Sequence, residues 1–170
     1  VDICDVRTNF RMPDLISIGL GGGSLIRDLE FPTVGPDSVG FRLPSKSLVF
    51  GGDTLTATDI AVAAGLTTIG DPDLVAHLDP MLVARARTAM QDSLAEAVDR
   101  LKIRPEDVPL VAVGGGSFLV EQHLPGTSEV VMPDNGPVAN AIGAAIAQVG
   151  GEVDRVFSLQ EISREAVLDL

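Results

Sequence analysis

The sequence predicts an α/β fold, on three observations. Short apolar runs read as strands, among them Leu15-Ile16-Ser17-Ile18-Gly19 and Pro109-Leu110-Val111-Ala112-Val113. A long amphipathic helix lies between them, at about Pro80 to Lys102. Both runs end in nearly the same glycine loop, Gly21-Gly22-Gly23-Ser24 and Gly114-Gly115-Gly116-Ser117.

Residues 13–20 read as a buried strand delivering the first loop, and Gly35-Pro36-Asp37-Ser38-Val39-Gly40 as a run of turn signals. Ser47-Leu48-Val49-Phe50 reads as a short strand closed by Gly51-Gly52-Asp53. Thr56 and Asp59 have capping-box spacing, which predicts a helix Thr58–Ala64 with Gly65 as its C′ residue.

Asp79 caps the long helix and Pro80 suits its first position. Val83, Ala86, Met90, Leu94, Ala97, Val98 and Leu101 share one face, with Glu96 and Arg100 paired on the wet side. Arg104-Pro105 breaks the helix before the strand Pro109–Val113. Glu129-Val130-Val131-Met132 is a further strand, and Pro133-Asp134-Asn135-Gly136 a turn. A helix follows from Pro137 with Val138, Ala141, Ile142, Ala145, Ile146 and Val149 inward, and Ser158-Leu159-Gln160-Glu161 starts a last one by a second capping box.

Composition narrows the function classes. The 170 residues suffice for one buried domain or two small lobes, with 45% hydrophobic and 21% charged residues. A net charge of −12 repels phosphate backbones and argues against nucleic acid. The lack of Trp and Tyr argues against single-strand stacking. The single cysteine, Cys4, forbids an internal disulfide, fits a cytoplasmic protein and reads as a buried apolar residue. Only two histidines, His77 and His123, are present, without zinc-ligand spacing. No apolar run is long enough for a membrane span, and the opening Val1-Asp2-Ile3 reads as the middle of a longer polypeptide.

The glycine loops carry the functional signal. Three glycines keep side chains away from a ligand and leave N–H groups free to face an anion. Neither loop ends in Gly-Lys-Ser/Thr, so neither is a P-loop, and neither carries a full GxGxxG. Two readings stand at this point: nucleotide binding, or tight strand-to-loop turns that need glycine for geometry alone.

Leu110 through Phe118 resembles the adenosine motif of the actin-like ATPase superfamily, a hydrophobic strand ending in glycines that lie against adenosine. With Ser17–Ile26, Val34–Gly40, Gly51–Asp59 and Val138–Ala145 in this order, residues 1 to about 150 resemble the hydantoinase A/oxoprolinase family. Residues 151–170, beyond the resemblance, read as a C-terminal helical tail. The resemblance implies the C-terminal part of an actin-like ATPase (ribonuclease H-like) lobe, a mixed sheet flanked by helices. It implies ATP and Mg²⁺ as cofactors, a cyclic amide of hydantoin or 5-oxoproline type as substrate, and a possible second hydantoinase-type subunit as partner. On this chain it places Gly114, Gly115, Gly116 and Ser117 at adenosine, and Gly21, Gly22, Gly23 and Ser24 nearer the phosphates.

Asp53 and Asp59 each divide between metal-side chemistry and local turn or cap roles. The family's Pro-Gly-Pro-Ala-Cys-like stretch is replaced here by Phe41 through Phe50, which unsettles the substrate assignment. Its Asp-x-Gly-Gly-Thr phosphate loops do not occur in these residues, so no catalytic residue is assigned. A non-catalytic nucleotide-binding or regulatory module of the same fold is the alternative.

Overall fold

The computed structural model describes residues 2–3, 6–7, 14–147, 158, 160 and 163–168. In chain order its elements are β1 (Asp2–Ile3), β2 (Val6–Arg7), β3 (Ser24–Arg27), β4 (Thr33–Ser38), α1 (Leu43–Lys46) and α2 (Ala57–Ala63). Then come α3 (Pro80–Leu101), β5 (Val108–Val111), β6 (Thr127–Val131), α4 (Ala139–Ile146) and α5 (Arg164–Leu168). The chain divides into two compact units, Val1–Asn140 and Ala141–Leu170, and the first holds both glycine loops.

The class is α/β, but among the described residues the strands form three two-stranded sheets instead of one mixed sheet. β1 and β2 pair antiparallel, as do β3 and β4, the latter with Ile26 opposite Val34 and Arg27 opposite Thr33. β5 and β6 pair in parallel, with Leu110 opposite Val130 and Val111 opposite Val131.

α2 forms as its cap predicts. Asp59 Oδ2 accepts from the Thr56 N–H at 2.7 Å, and Gly65 follows the helix with φ +72°. α3 also forms as predicted: Asp79 accepts from the Met81 N–H at 3.0 Å, and Glu96 stands 3.9 Å from Arg100. Val83, Ala86 and Met90 on α3 pack against Ile26, Ala57, Ile60, Ala61 and Leu119 in the main core. Further along α3, Leu94, Ala95 and Val98 cover Ala112, Leu124 and Val130 at the β5–β6 sheet. Leu101, expected on the same face, is exposed at the helix end.

Several expectations are corrected. Residues 14–20 are not a strand: Leu15 is exposed, and the strand comes after the first glycine loop. Gly19 lies against Pro36 of β4, and proline has no N–H to offer a neighbouring ladder. Conversely, residues 35–38 of the turn-like run belong to β4, with Gly35 at φ +67°. Leu48–Phe50 is a 3₁₀ turn, because the Asp59 carboxylate draws in both the Ser47 hydroxyl and the Val49 N–H.

The helix after Pro137 begins as a 3₁₀ turn, and Val138, Ile142 and Ile146, expected inward, are exposed. Ala141 and Ala145 are exposed as well. A helix starts at Arg164, where Ser163 Oγ accepts from the Ala166 N–H at 3.3 Å, and the expected capping box at Ser158 and Glu161 lies partly outside the described residues. Cys4 and Val149 lie outside the described residues.

Candidate nucleotide site

The two glycine loops, far apart in sequence, line one cavity. Gly21 and Gly22 from the first loop face Gly116 and Ser117 from the second, across about 330 Å³ that is otherwise walled mainly by Leu20, Leu94, Val113 and Leu119. Among the described residues no charged side chain lines it. A second cavity of about 530 Å³ opens on the other side of Ser117, at the carboxyl ends of the parallel strands β5 and β6. Its walls include Leu66, Phe118, Val120, Met132 and Pro133, with Glu121, His123 and Asp134 as its ionisable groups. Loops beyond the carboxyl ends of parallel strands are where α/β proteins hold ligands, and this volume suits a small organic molecule.

The loops differ in why they are glycine. A Cβ on Gly22 would stand 2.8 Å from Thr58 Oγ1, and one on Gly23 would stand 2.7 Å from Ser38 Oγ. Packing therefore demands Gly22, since Thr58 is fully buried. At Gly23 the exposed Ser38 hydroxyl can turn aside, and a Cβ on Gly21 would meet no protein atom within 4 Å. In the second loop Gly114 has φ +91°, a left-handed backbone that side chains rarely adopt. Gly115 and Gly116 have neither constraint: a Cβ on either would meet no protein atom within 4 Å. Turn geometry explains Gly114 and leaves its two neighbours unexplained by the chain's own needs.

The polar groups are also placed differently. In the first loop the Gly21 N–H donates to Ser24 Oγ at 2.9 Å, and Ser24, buried, donates its hydroxyl to the Gly19 carbonyl at 3.1 Å. The Gly22 carbonyl accepts from Thr58 and the Gly23 carbonyl from the Val39 N–H. In the second loop the Gly114 N–H donates to the Gly136 carbonyl at 2.8 Å and the Ser117 N–H to the Gly114 carbonyl. Among the described residues, the N–H groups of Gly115 and Gly116 meet no acceptor.

Helix α3 holds the segment that leaves the second loop. Gln91 Nε2 donates to the Leu119 carbonyl at 2.8 Å, and Gln91 Oε1 accepts from the Glu121 N–H at 3.4 Å. One turn earlier on α3, Arg87 donates Nε and Nη2 to Glu121 Oε1 at 3.1 and 2.8 Å. Sequence reasoning missed this clamp. Its one sequence signal is that Arg87 and Gln91 flank the apolar face at helical spacing.

Asp59 is fully buried, not a solvated helix-end acid. Its oxygens accept from Ser47 Oγ at 2.6 Å, the Val49 N–H at 2.8 Å, the Thr56 N–H at 2.7 Å and Thr56 Oγ1 at 2.8 Å. These four bonds engage it as a knot between α2 and the 3₁₀ turn at Leu48–Phe50. Asp53 is exposed, beside Lys46 at 3.4 Å. The Thr54 hydroxyl, donating at 2.8 Å, and then the Lys46 ammonium hold its carboxyl below the usual range. Among the described residues no three His, Cys, Asp or Glu side chains converge as a metal site. No described helix is long and apolar enough to cross a membrane.

Fold and site together define an α/β protein with a ligand-sized cavity at a glycine loop. Residues 1–71, less than half of the chain, match the model of the hydantoinase/oxoprolinase family. The match suggests a hydrolase-type role. The first glycine loop lies within the matched residues and the second beyond them. No curated protein and no solved structure matches the chain.

Proposed function

We propose that this chain forms the base-binding side of an ATP site, in an ATP-dependent hydrolase acting on cyclic amides of hydantoin or 5-oxoproline type. Its fold would then be part of an actin-like ATPase lobe. The observation that carries this reading is the open second loop. Gly115 and Gly116 leave space that the chain does not fill and N–H groups that it does not use. A planar base seated there meets backbone without an intervening Cβ.

Gly114, Gly115, Gly116 and Ser117 are the proposed adenosine contacts. Gly21 and Gly22 reach the same cavity, and among the described residues the N–H groups of Gly22 and Gly23 also meet no acceptor. That leaves donors in the first loop for the phosphate end, with Ser24 shaping the turn. ATP fits these residues through neutral backbone groups. Mg²⁺ would arrive with the phosphates, since it commonly binds through phosphate oxygens and one or two carboxylates, and it would neutralise phosphate charge. The family match supports the hydrolase class, and the cyclic amide substrate is part of the proposal. A second hydantoinase-type subunit completing the reaction belongs to the same proposal.

Titration calorimetry with ATP–Mg²⁺, followed by ATP hydrolysis measured with and without hydantoin or 5-oxoproline, tests the reading. Binding with amide-stimulated hydrolysis is the expected result. Binding without stimulation would turn the assignment to a regulatory nucleotide-binding module, and no heat at millimolar nucleotide would end both.

A further inference from the structure

The recess of about 330 Å³ takes one wall from Gly116, Ser117, Leu119 and Val120. A run of short bonds makes that wall a single piece. The Ser117 N–H donates to the Gly114 carbonyl at 3.1 Å, the Leu119 N–H to Gly116 at 3.0 Å and the Val120 N–H to Ser117 at 3.0 Å. Its placement therefore depends on what holds its two ends. The entry is tied by the Gly114 N–H, which donates to the Gly136 carbonyl at 2.8 Å. The exit is tied to helix α3.

Three α3 residues at i, i+4 and i+7 share one stripe toward that exit. Leu94 lines the recess itself. Gln91 Nε2 donates at 2.8 Å to the carbonyl of Leu119, a residue of the wall. Arg87 holds Glu121, two residues further on, through Nε and Nη2. The Leu119 side chain is buried in the main core, which sets its depth. The Gln91 bond adds the direction of its carbonyl, and so the tilt of the turn. A run of three glycines has more backbone freedom than any other sequence. A binding surface made of their N–H groups keeps its shape only while both ends are held.

We propose that Gln91 and Arg87 are positioning residues for the nucleotide. Neither lines the recess, and both act through the 117–121 segment to hold Gly115 and Gly116 in the arrangement that ATP meets. The inference rests on the nucleotide reading and adds to it the part of the fold that orders the site before the ligand arrives.

Titration calorimetry with ATP–Mg²⁺, run below the Tm of every variant, compares the unaltered chain with Gln91→Leu, Arg87→Met and Arg87→Lys. Arg85→Met is the control: Arg85 lies on the same helix but donates to the Glu30 carbonyl at 2.7 Å, between β3 and β4. Gln91→Leu and Arg87→Met should each bind about tenfold more weakly, the factor for ordering one further backbone residue on binding. Arg87→Lys keeps a cation for Glu121 without the two-pronged geometry and should recover part of the loss. Arg85→Met should bind as tightly as the unaltered chain. Hydrogen exchange supplies a second readout. The Leu119 and Val120 amides should exchange about tenfold faster in Gln91→Leu, and ATP–Mg²⁺ should slow them again.

A purely structural role would lower the Tm of Arg85→Met and Arg87→Met alike and leave the Kd of the folded protein unchanged. Unchanged affinity in Gln91→Leu and Arg87→Met, or an equal loss in Arg85→Met, would overturn the proposal and leave the nucleotide reading standing. Should Gln91→Leu fail to fold, Arg87→Met against Arg87→Lys and Arg85→Met decides. If the unaltered chain takes up no ATP–Mg²⁺ at millimolar concentration, the nucleotide reading falls and this inference with it.

Discussion

Thr58 donates twice to one atom: its backbone N–H and its hydroxyl both reach the Gly22 carbonyl, each at 2.9 Å. Thr58 sits in the first turn of α2, where N–H groups lack partners within the helix. The first glycine loop thus supplies an acceptor to the amino end of α2, and α2 fixes the height of the loop.

Replacing Thr58 by Val removes the hydroxyl bond and leaves the backbone bond in place. The expected loss is about 1 kcal/mol, the net worth of an ordinary internal hydrogen bond. At this chain length that lowers Tm by roughly 2–4 °C in a thermal melt. An unchanged Tm would mean that the hydroxyl does not secure the loop.

Asp59→Ala should be far more damaging. It strands the donors of Ser47, Val49 and Thr56 in the interior. Buried donors without partners cost about 1–3 kcal/mol each, so a loss of roughly 3 kcal/mol or more is expected. Urea denaturation should show a lower midpoint at similar slope.

The two loops should respond oppositely to alanine. Gly22→Ala puts a Cβ 2.8 Å from Thr58 Oγ1 and should destabilise by about 1–3 kcal/mol through overpacking. Gly115→Ala meets nothing, and by restricting the unfolded chain it should leave stability unchanged or raise it by about 0.4–1 kcal/mol. The same substitution should weaken ATP binding. Denaturation and nucleotide titration on both variants measure the contrast, and Gly115→Ala with unaltered affinity would remove that residue from the site.

Asp53 should titrate below the ordinary aspartate value of 3.8. Its folded pKa is depressed, so the associated stabilisation is present above pH 3.8 and is lost as pH falls through the lower folded pKa. Thr54→Val and Lys46→Met should each move the carboxyl upward in an NMR titration. Added salt should mimic only the lysine effect, because the pair is exposed to solvent.

What the sequence reveals follows the range of the interactions. α2 and α3 were legible because their caps, apolar spacing and end signals lie within a few residues, at Thr56–Asp59 and Asp79–Met81. β5, β6 and the turn at Pro133–Gly136 were legible for the same reason. The strand expected before the first loop was not formed. An apolar run becomes a strand only where a neighbour offers hydrogen bonds, and here Pro36 stands beside Gly19. The turn at Leu48–Phe50 was hidden because Asp59, ten residues away from Val49, sets its shape.

In the candidate site, the loops were visible as motifs, whereas their meeting at one cavity and the α3 clamp were not. Arg87 and Glu121 are 34 residues apart, and nothing in either local pattern names the other.

The bonds that assemble the cavities join residues 36, 34 and 28 positions apart, at Thr58–Gly22, Arg87–Glu121 and Gln91–Leu119. α3 can begin to coil by itself, but the recess between the glycine loops exists only after these long loops have closed, the slow part of folding. Occupancy of the recess therefore reports on the ordering of residues 19 to 121 as a whole. A truncation or a hinge break anywhere in that span would empty it, even where both glycine loops survive intact.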